Sequence, residues 1–520
     1  MTNDPSMWQR STTRSFLKWL FTWRTMRRML VGVAGLVTLY ALFCTEETIR
    51  GKHAWDKYRR QLEARGEHLD FKAFIPKPVP DGQNFAATPV IKSWFPKLTV
   101  DFWQDDYARV EGKMSTGDFR HKLRKLDLDA WARAFNQTNL THTVPRGPTD
   151  LQSRAKAAPR VLEALRADEP IFAELHSAIR RPYSRYPVNY NMEDPFTILL
   201  PHLSGVRNVC RRLQLKACAE LAAGQSTEAL DDVKLIFSIG DSLREDPFLV
   251  SYLVQVACIQ ITIEPVWEGL AVHRWSDAQV QELQAMFQQC NFVADVKRPF
   301  EAERAAGIQA VDVIRRHGVG YLGNIMGSGA ASFLNSRAGN LLNLFVPSGW
   351  YYLEQYNLCH AYQTLLDGTI DPSQRRVFPD RAEANEHEYE RNISGNPFAV
   401  VFTHHRVMAA MLLPALNRVV VKAAVAQTLA EQVALACALE RYRLANGQFP
   451  DKLDALVPAF IAKLPADVTT GEPYKYQRTA DGQFVLYSVG WNEEDDGGVP
   501  GKTDYDDKEG DWVWEYPSAQ

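Results

Sequence analysis

Met29 to Cys44 reads MLVGVAGLVTLYALFC, a run without a single charge, and its interpretation decides the fold of the whole chain. As a helix it is about 24 Å long, against about 30 Å of bilayer hydrocarbon. The shortfall is small, because Trp19 and Trp23 suit the interface and Arg28 can extend its side chain toward water. Arg10, Arg14, Lys18, Arg24, Arg27 and Arg28 precede the run against one acid, Asp4, while Glu46 and Glu47 follow it. Basic residues stay on the cytoplasmic side, so the N-terminus is expected in the cytoplasm and everything after Thr45 outside it, on a bacterial inner membrane. A cleaved signal peptide needs a short basic region and small residues before the cut, and neither is present. A lipoprotein site at Cys44 is opposed by bulky Phe43, and a buried soluble helix leaves the preceding basic cluster without a purpose. An uncleaved single-pass anchor is expected.

The remaining chain is long enough, at 520 residues in all, for two or more domains with their own cores. Apolar residues make up 46% and charged residues 23%, which excludes wholesale disorder. A net charge of -3 offers no global attraction for nucleic acid. Seven cysteines lie scattered in apolar helical text without CxxC pairing or disulfide spacing, and read as buried single thiols.

Outward from the anchor, Thr48 to Gly66 has Trp55, Tyr58 and Leu62 at helical spacing, with Gly66 as a stop. Ile75-Pro76-Lys77-Pro78-Val79-Pro80 cannot be helical and reads as a stiff spacer. Residues 90–150 are mixed. From about Asp150 to Cys290 the text is a succession of helices. One runs from about Leu203 to Ala223 and stops at Gly224; Ser226 caps the next, which ends near Arg244. Asp246-Pro247 opens a third with proline at its first position, and Ser276 with Gln279 forms a capping box for a fourth, stapled by Trp275. Such hairpins resemble tetratricopeptide-like stacks in architecture, although no ~34-residue consensus recurs, and stacks of this kind offer a groove for a protein partner. Gly318 to Gly349 is glycine-rich and apolar; it reads as a loop between core helices, or as a segment lying on a membrane or a partner. From Arg406 a long apolar helix interrupted at Pro414 runs to Asn446-Gly447. Arg418 and Lys422 make it a buried packing helix, not a second span.

The last hundred residues carry the most specific text. Ala438-Leu439-Glu440-Arg441-Tyr442-Arg443 leads to Asn446-Gly447-Gln448-Phe449-Pro450. Leu464-Pro465-Ala466-Asp467, Gly471-Glu472-Pro473-Tyr474-Lys475-Tyr476 and Phe484-Val485-Leu486-Tyr487-Ser488-Val489-Gly490 follow in order. Asp481-Gly482 suits a hairpin turn between two strands. Over roughly 80 residues this resembles the C-terminal portion of the major pseudopilin of type II secretion systems, with its long helix, loop and small sheet. The resemblance implies calcium in the acidic loop after the last strand, on Asn492, Glu493, Asp495, Asp496 and Asp504. The same residues, nine acids between Glu493 and Asp511 against Lys502 and Lys508, also read as a solvated acidic tail. The sequence departs from the family in lacking the prepilin cleavage signature around Met29 and in having Trp491-Asn492 where the family has glycine-aspartate. It is therefore not expected to polymerise as a pilin, and looks more like a bacterial envelope protein ending in a pseudopilin-like module.

The expected fold is mainly α: an N-terminal transmembrane helix, a helical-hairpin, tetratricopeptide-like body and a small C-terminal α+β pseudopilin-like module with antiparallel strands. The expected divisions are a basic cytoplasmic tail (1–28), the span (29–45), a juxtamembrane helix, spacer and mixed segment (46–149), the helical body (150–405), and the long helix with module and acidic tail (406–520). Enzymatic signatures are weak. Gly497 to Thr503 lacks the first glycine of a phosphate loop, with Asp496 in its place. His404, His405, His360 and Glu354 lack an HExxH frame, and no serine lies in a GxSxG elbow. The expectation is a non-catalytic extracytoplasmic scaffold or assembly protein that binds a protein partner through its helical body and is linked to a secretion or pilus-like system. The alternative is an envelope hydrolase with an unrecognised site in that body, and a third reading is an anchor whose Gly318 to Gly349 segment binds lipid.

Overall fold

The computed structural model describes residues 22–95, 106–111, 125–137, 144–321, 346–393, 405–503, 505–506 and 508–515. Residues 1–21 of the basic tail, Asp504, His404 and residues 322–345, which hold most of the glycine-rich stretch, lie outside the described residues, while Arg24, Arg27 and Arg28 belong to the first long helix. The chain is mainly helical, with a long apolar N-terminal helix and small antiparallel sheets toward the C-terminus. It forms two compact units: residues 1–67, 311–358 and 397–408 make the first, and 68–310, 359–396 and 409–520 the second.

The first unit is organised by α1 (Trp23–Ala64), a continuous helix of 42 residues. The span and the juxtamembrane helix, read from sequence as separate, are one rod. The Thr45-Glu46-Glu47-Thr48 junction holds no glycine or proline to break it, and the Thr45 and Thr48 hydroxyls donate to Ala41 O and Cys44 O, 2.7 and 2.6 Å away. Its two halves differ in what they meet. Leu30, Val31, Val33, Leu36, Val37, Leu39 and Leu42 are all exposed, whereas Glu47, Gly51, Trp55 and Leu62 are buried along one helical stripe. At Gly51 the rod crosses the first turn of a helix that opens at Ser348. A Cβ on Gly51 would collide with Gly349 O, and one on Gly349 with Glu47 O, so both positions require glycine. Nearby, the Tyr58 and Tyr356 rings meet edge-on at 5.0 Å.

The second unit begins with the residues that flank the expected spacer, Ile75 to Pro80. Phe71, Phe74, Phe85, Ile91 and Trp94 enter the main core, with Ile75 packed against it. The proline-rich stretch is extended, as its missing donors demand. It is nonetheless tied down: Arg185 Nε donates to Pro76 O (2.9 Å) and Arg298 Nη2 to Phe74 O (2.8 Å). Short helices α2 (Pro89–Ser93), α3 (Asp106–Glu111) and α4 (Leu128–Phe135) follow, then α5 (Leu151–Ala164) and α6 (Glu169–Ala178). The centre of the unit is α7 (His202–Ala223), α8 (Ser226–Asp241) and α9 (Leu249–Ala271), which pack on one another, with α5 on α7. Gly224 ends α7 in the left-handed conformation at φ 84°, as anticipated. Two expected starts differ. Ser226 lies inside α8, which Gln225 precedes without a side-chain cap. Pro247 stands before Phe248, the residue that flanks α9, because Asp246 is drawn instead into hydrogen bonds with His202 and Ser251. The Ser276–Gln279 capping box opens α10 (Asp277–Gln288) as read. Then come α11 (Phe292–Asp295), α12 (Lys297–His317), α13 (Ser348–Leu366), the hairpin β1 (Ile370–Asp371) and β2 (Arg376–Val377), and α14 (Pro379–Ile393).

The long helix α15 (Val407–Asn446) leads into the C-terminal sheet. Strands β3 (Lys475–Arg478), β4 (Phe484–Ser488) and β5 (Trp512–Trp514) form an antiparallel sheet in that order, with Tyr476 opposite Leu486 and Tyr487 opposite Val513. The expected hairpin turn is present, with Gly482 at φ 81°. β5 was not anticipated. The acidic text is therefore not a free tail but a loop closed by a third strand, whose Trp512 and Trp514 are fully buried. Gln432 of α15 donates to Trp512 O (2.7 Å) and accepts from Tyr505 Oη (2.9 Å). Trp267 of α9 donates to Glu515 O (2.7 Å), so sheet, α15 and α9 form one packed body.

Candidate functional site

Three features outside ordinary packing bear on function: the exposed apolar helix, the acidic loop and a set of buried charge clusters. Among the described residues three helices are long and apolar enough to cross a membrane, and their surroundings separate them. The apolar window of α1 is 0% buried, that of α9 is 61% buried and that of residues 418–446 of α15 is 89% buried. α9 and α15 spend their apolar faces on the protein core; among the described residues nothing covers the apolar half of α1, which is the condition of a lipid-facing helix.

The acidic loop, residues 489–511, is held by its own carboxylates. Asp495 accepts from Gly497 N and Tyr487 Oη, both at 3.1 Å, and pairs with Lys475 Nζ at 3.2 Å. The Gly497 amide and these partners hold its carboxyl below the usual range. Asn492 accepts from Glu494 N at 3.3 Å. Glu493 takes a left-handed φ of 57°, and burial, with Asp380 nearby, raises its carboxyl. Asp496 contributes its backbone amide, which donates to Asp511 Oδ1 at 3.3 Å. Among the described residues no three histidine, cysteine, aspartate or glutamate side chains converge as a metal-ligand group, and Asp504 lies outside them.

The residue that organises the loop is one that sequence reading passed over. Asp511 is fully buried, accepts from Gly498 N at 2.6 Å, and donates its own amide to Val499 O at 2.9 Å. Burial raises its carboxyl. Gly510, at φ 81°, lies so close to Gly501 that no side chain fits there. Nothing distinguished Asp511 within a run of nine acids. The apolar triplet Trp512-Val513-Trp514 beside it was the available sign of a closing strand.

The body holds charge in paired clusters. Arg154 of α5 pairs with Glu268 of α9, and both are buried. Arg154 also donates to Leu126 O, whose residue returns its amide to Glu268. One turn away, Gln214 donates to Glu264 at 2.7 Å, and burial pushes the Glu264 carboxyl up to about 8. On the neighbouring face of α7, Lys216 bridges Glu220 (2.7 Å) and Asp232 (2.8 Å), and His176 meets Asp232 at 3.1 Å. Burial, and Asp232 beside it, push Glu220 up to about 8.

His202, Asp246 and Ser251 share one buried site, with histidine and serine both bonded to the aspartate, at 2.8 and 3.1 Å. A nucleophilic triad needs histidine between serine and acid; here the acid is central, and the set anchors the start of α9. Of the histidine–glutamate group weighed from sequence, Glu354 and His405 hold helix ends in place. Glu354 accepts from Val407 N (2.9 Å) and Met408 N (2.6 Å), capping α15, and His405 O accepts from Asn357 (2.9 Å). Their geometry fixes helix ends.

No protein-family model, curated protein or solved structure matches this chain.

Proposed function

We propose that the protein is a membrane-anchored, extracytoplasmic, non-catalytic scaffold or assembly factor linked to a secretion or pilus-like system. The observation that carries this reading is α1: a helix of 42 residues whose apolar half is 0% buried and whose other half is packed. An apolar surface of that length is stable in lipid and costly in water. The basic residues before it and the acids after it orient the N-terminus to the cytoplasm.

The body, α5 to α10, is proposed as a tetratricopeptide-like stack that presents a surface to a protein partner. Its support is the sequential packing of α7, α8 and α9. The C-terminal module is proposed to be pseudopilin-like. Its support is the order of long helix, loop, antiparallel hairpin, acidic loop and closing strand, beside the sequence motifs that resemble that family. The acidic loop is proposed to take calcium through Asn492, Glu493, Asp495, Asp496 and Asp504, a ligand chemistry suited to a hard cation.

The experiment is crosslinking of the full chain in its native membrane, followed by purification and identification of what is attached. The expected result is a discrete envelope protein of a secretion or pilus-type assembly, lost when exposed residues of α8 and α10 are replaced by charges of opposite sign. Recovery of the chain without any crosslinked protein would overturn the proposal.

A further inference from the structure

We propose that the opening turn of α13 and the last turn of α12 form a collar at the base of α1 that rests on the phospholipid headgroups of the leaflet facing the body. The inference rests on the reading of α1 as a span, and adds a second contact with the same membrane. The level of the collar follows from α1. Its apolar run ends at Cys44, and Glu47 lies three residues on, about 4.5 Å along the axis. The headgroup layer on each side of the hydrocarbon is about 5–7 Å deep, so Glu47 falls within it. Gly349 packs directly on this point, where a Cβ would collide with Glu47 O and Thr48 N. The first turn of α13 is therefore at headgroup level. Further along both helices the Tyr356 and Tyr58 rings meet at 5.0 Å. The two helices thus leave the membrane together, and the opening turn is the part of α13 nearest to it.

The side chains at this level are those a bilayer surface favours. Trp350, Tyr351 and Tyr352 follow Gly349, and all three are half-buried. Rings with one apolar body and one polar edge collect at headgroup depth. Helical side chains lean toward their helix N-terminus, which is the membrane side of both α13 and α1. The Trp350 ring is braced by His405, 4.8 Å away. Arg315 donates to Tyr352 Oη at 3.2 Å with its guanidinium 5.3 Å above that ring, which brings the end of α12 to the same place. Arg315 also pairs with Asp312 at 3.1 Å, so exposed Arg316 beside it and exposed Lys52 on α1 are the cations presented to phosphate. The acids at this level are answered within α1. Glu47 is buried and pairs with Arg50 at 2.6 Å, and Arg50 reaches Glu46 at 3.9 Å.

The test reads depth in the full chain reconstituted into phosphatidylcholine vesicles. Cys44→Ser removes the one partly exposed thiol, and an environment-sensitive fluorophore is attached in turn at Ser348→Cys, Leu36→Cys and Gln61→Cys, all exposed positions. Nitroxide lipids quench either from the headgroup or from deep in the acyl chain. The expected result is that the headgroup nitroxide quenches the label at 348 at least about twofold more than the deep one. The label at 36 shows the reverse order, and the label at 61, about 25 Å beyond Cys44 along α1, is quenched by neither. Trp350→Ser with Tyr351→Ser lowers headgroup quenching at 348, and Trp350→Phe with Tyr351→Phe retains it. A label at 348 that is unquenched, or quenched more from the deep position, beside a label at 36 in hydrocarbon, would overturn the collar and leave the span standing. Quenching at 348 that the serine pair leaves unchanged would overturn the role of the rings. A label at 36 that no lipid quenches would overturn span and collar together.

Discussion

Replacing Arg154 by methionine tests how the body tolerates buried charge. The Arg154 and Glu268 side chains are only 4% and 3% exposed. Methionine preserves much of the volume but takes the guanidinium from the Glu268 carboxylate, which keeps the Leu126 amide, and from Leu126 O. Breaking a buried pair from one side costs about 3–5 kcal/mol, because the surviving charge stays desolvated. In a body of this size that corresponds to a Tm lower by roughly 4–6 °C. The sign with pH follows from Glu268. Burial already raises its carboxyl above the ordinary value, and Arg154 opposes that rise. Without the guanidinium the folded-state value climbs further. A raised carboxyl contributes stability below its unfolded value and loses it as pH rises through the folded value. The deficit of Arg154→Met is therefore smallest in mildly acid buffer and grows as pH rises through neutral into the alkaline range. Adding Glu268→Leu removes the stranded charge and restores most of the loss at high pH. The assay is thermal melting of the full chain in detergent across that range. A loss below about 1 kcal/mol, or one independent of pH, would refute the reasoning.

Other consequences are equally direct. Gly51→Val forces a side chain into the Gly349 backbone; it lowers Tm while the chain still sediments with membranes after alkaline carbonate, and an unchanged Tm would refute the crossing. Asp511→Ala removes the acceptor of the Gly498 and Asp496 amides and costs about 2–4 kcal/mol, read as faster proteolysis between residues 489 and 511; protection equal to the parent chain would show that the loop closes without it. Calcium must displace Lys475 from Asp495 to use that carboxylate. A calcium-dependent, EDTA-reversed rise in Tm is thus expected to grow in Lys475→Met and vanish in Asp495→Ala plus Asp496→Ala, and equal shifts in all three would refute the ligand assignment.

What the sequence disclosed was local. A charge-free run at Met29, a Ser276–Gln279 reciprocal cap, a glycine after Ala223 and an Asp481-Gly482 turn each act over a few residues, and each stands where it was read. Misreadings came where a distant partner outbids a local preference. Asp246 is a good helix cap by type, but buried His202 and Ser251 claim its carboxylate, moving the start of α9 to Leu249. The proline-rich stretch is extended for local reasons, yet Pro76 O is held by Arg185 and the preceding Phe74 O by Arg298, both from far along the chain. β5 is three residues long, too short for alternation to reveal it, and the role of Asp511 exists only once that strand closes the loop.

The central claim is that α1 spans a membrane with the body outside the cytoplasm, and site-specific labelling tests it most directly. Cysteine introduced at Ser6, before the span, or at the exposed Gly82 after it, is challenged with a membrane-impermeant maleimide in intact spheroplasts, against the parent chain as background. The account predicts labelling of Gly82→Cys in intact cells and of Ser6→Cys only after permeabilisation, with both chains resisting carbonate extraction. Labelling in the reverse order, or release of the chain by carbonate, would contradict it.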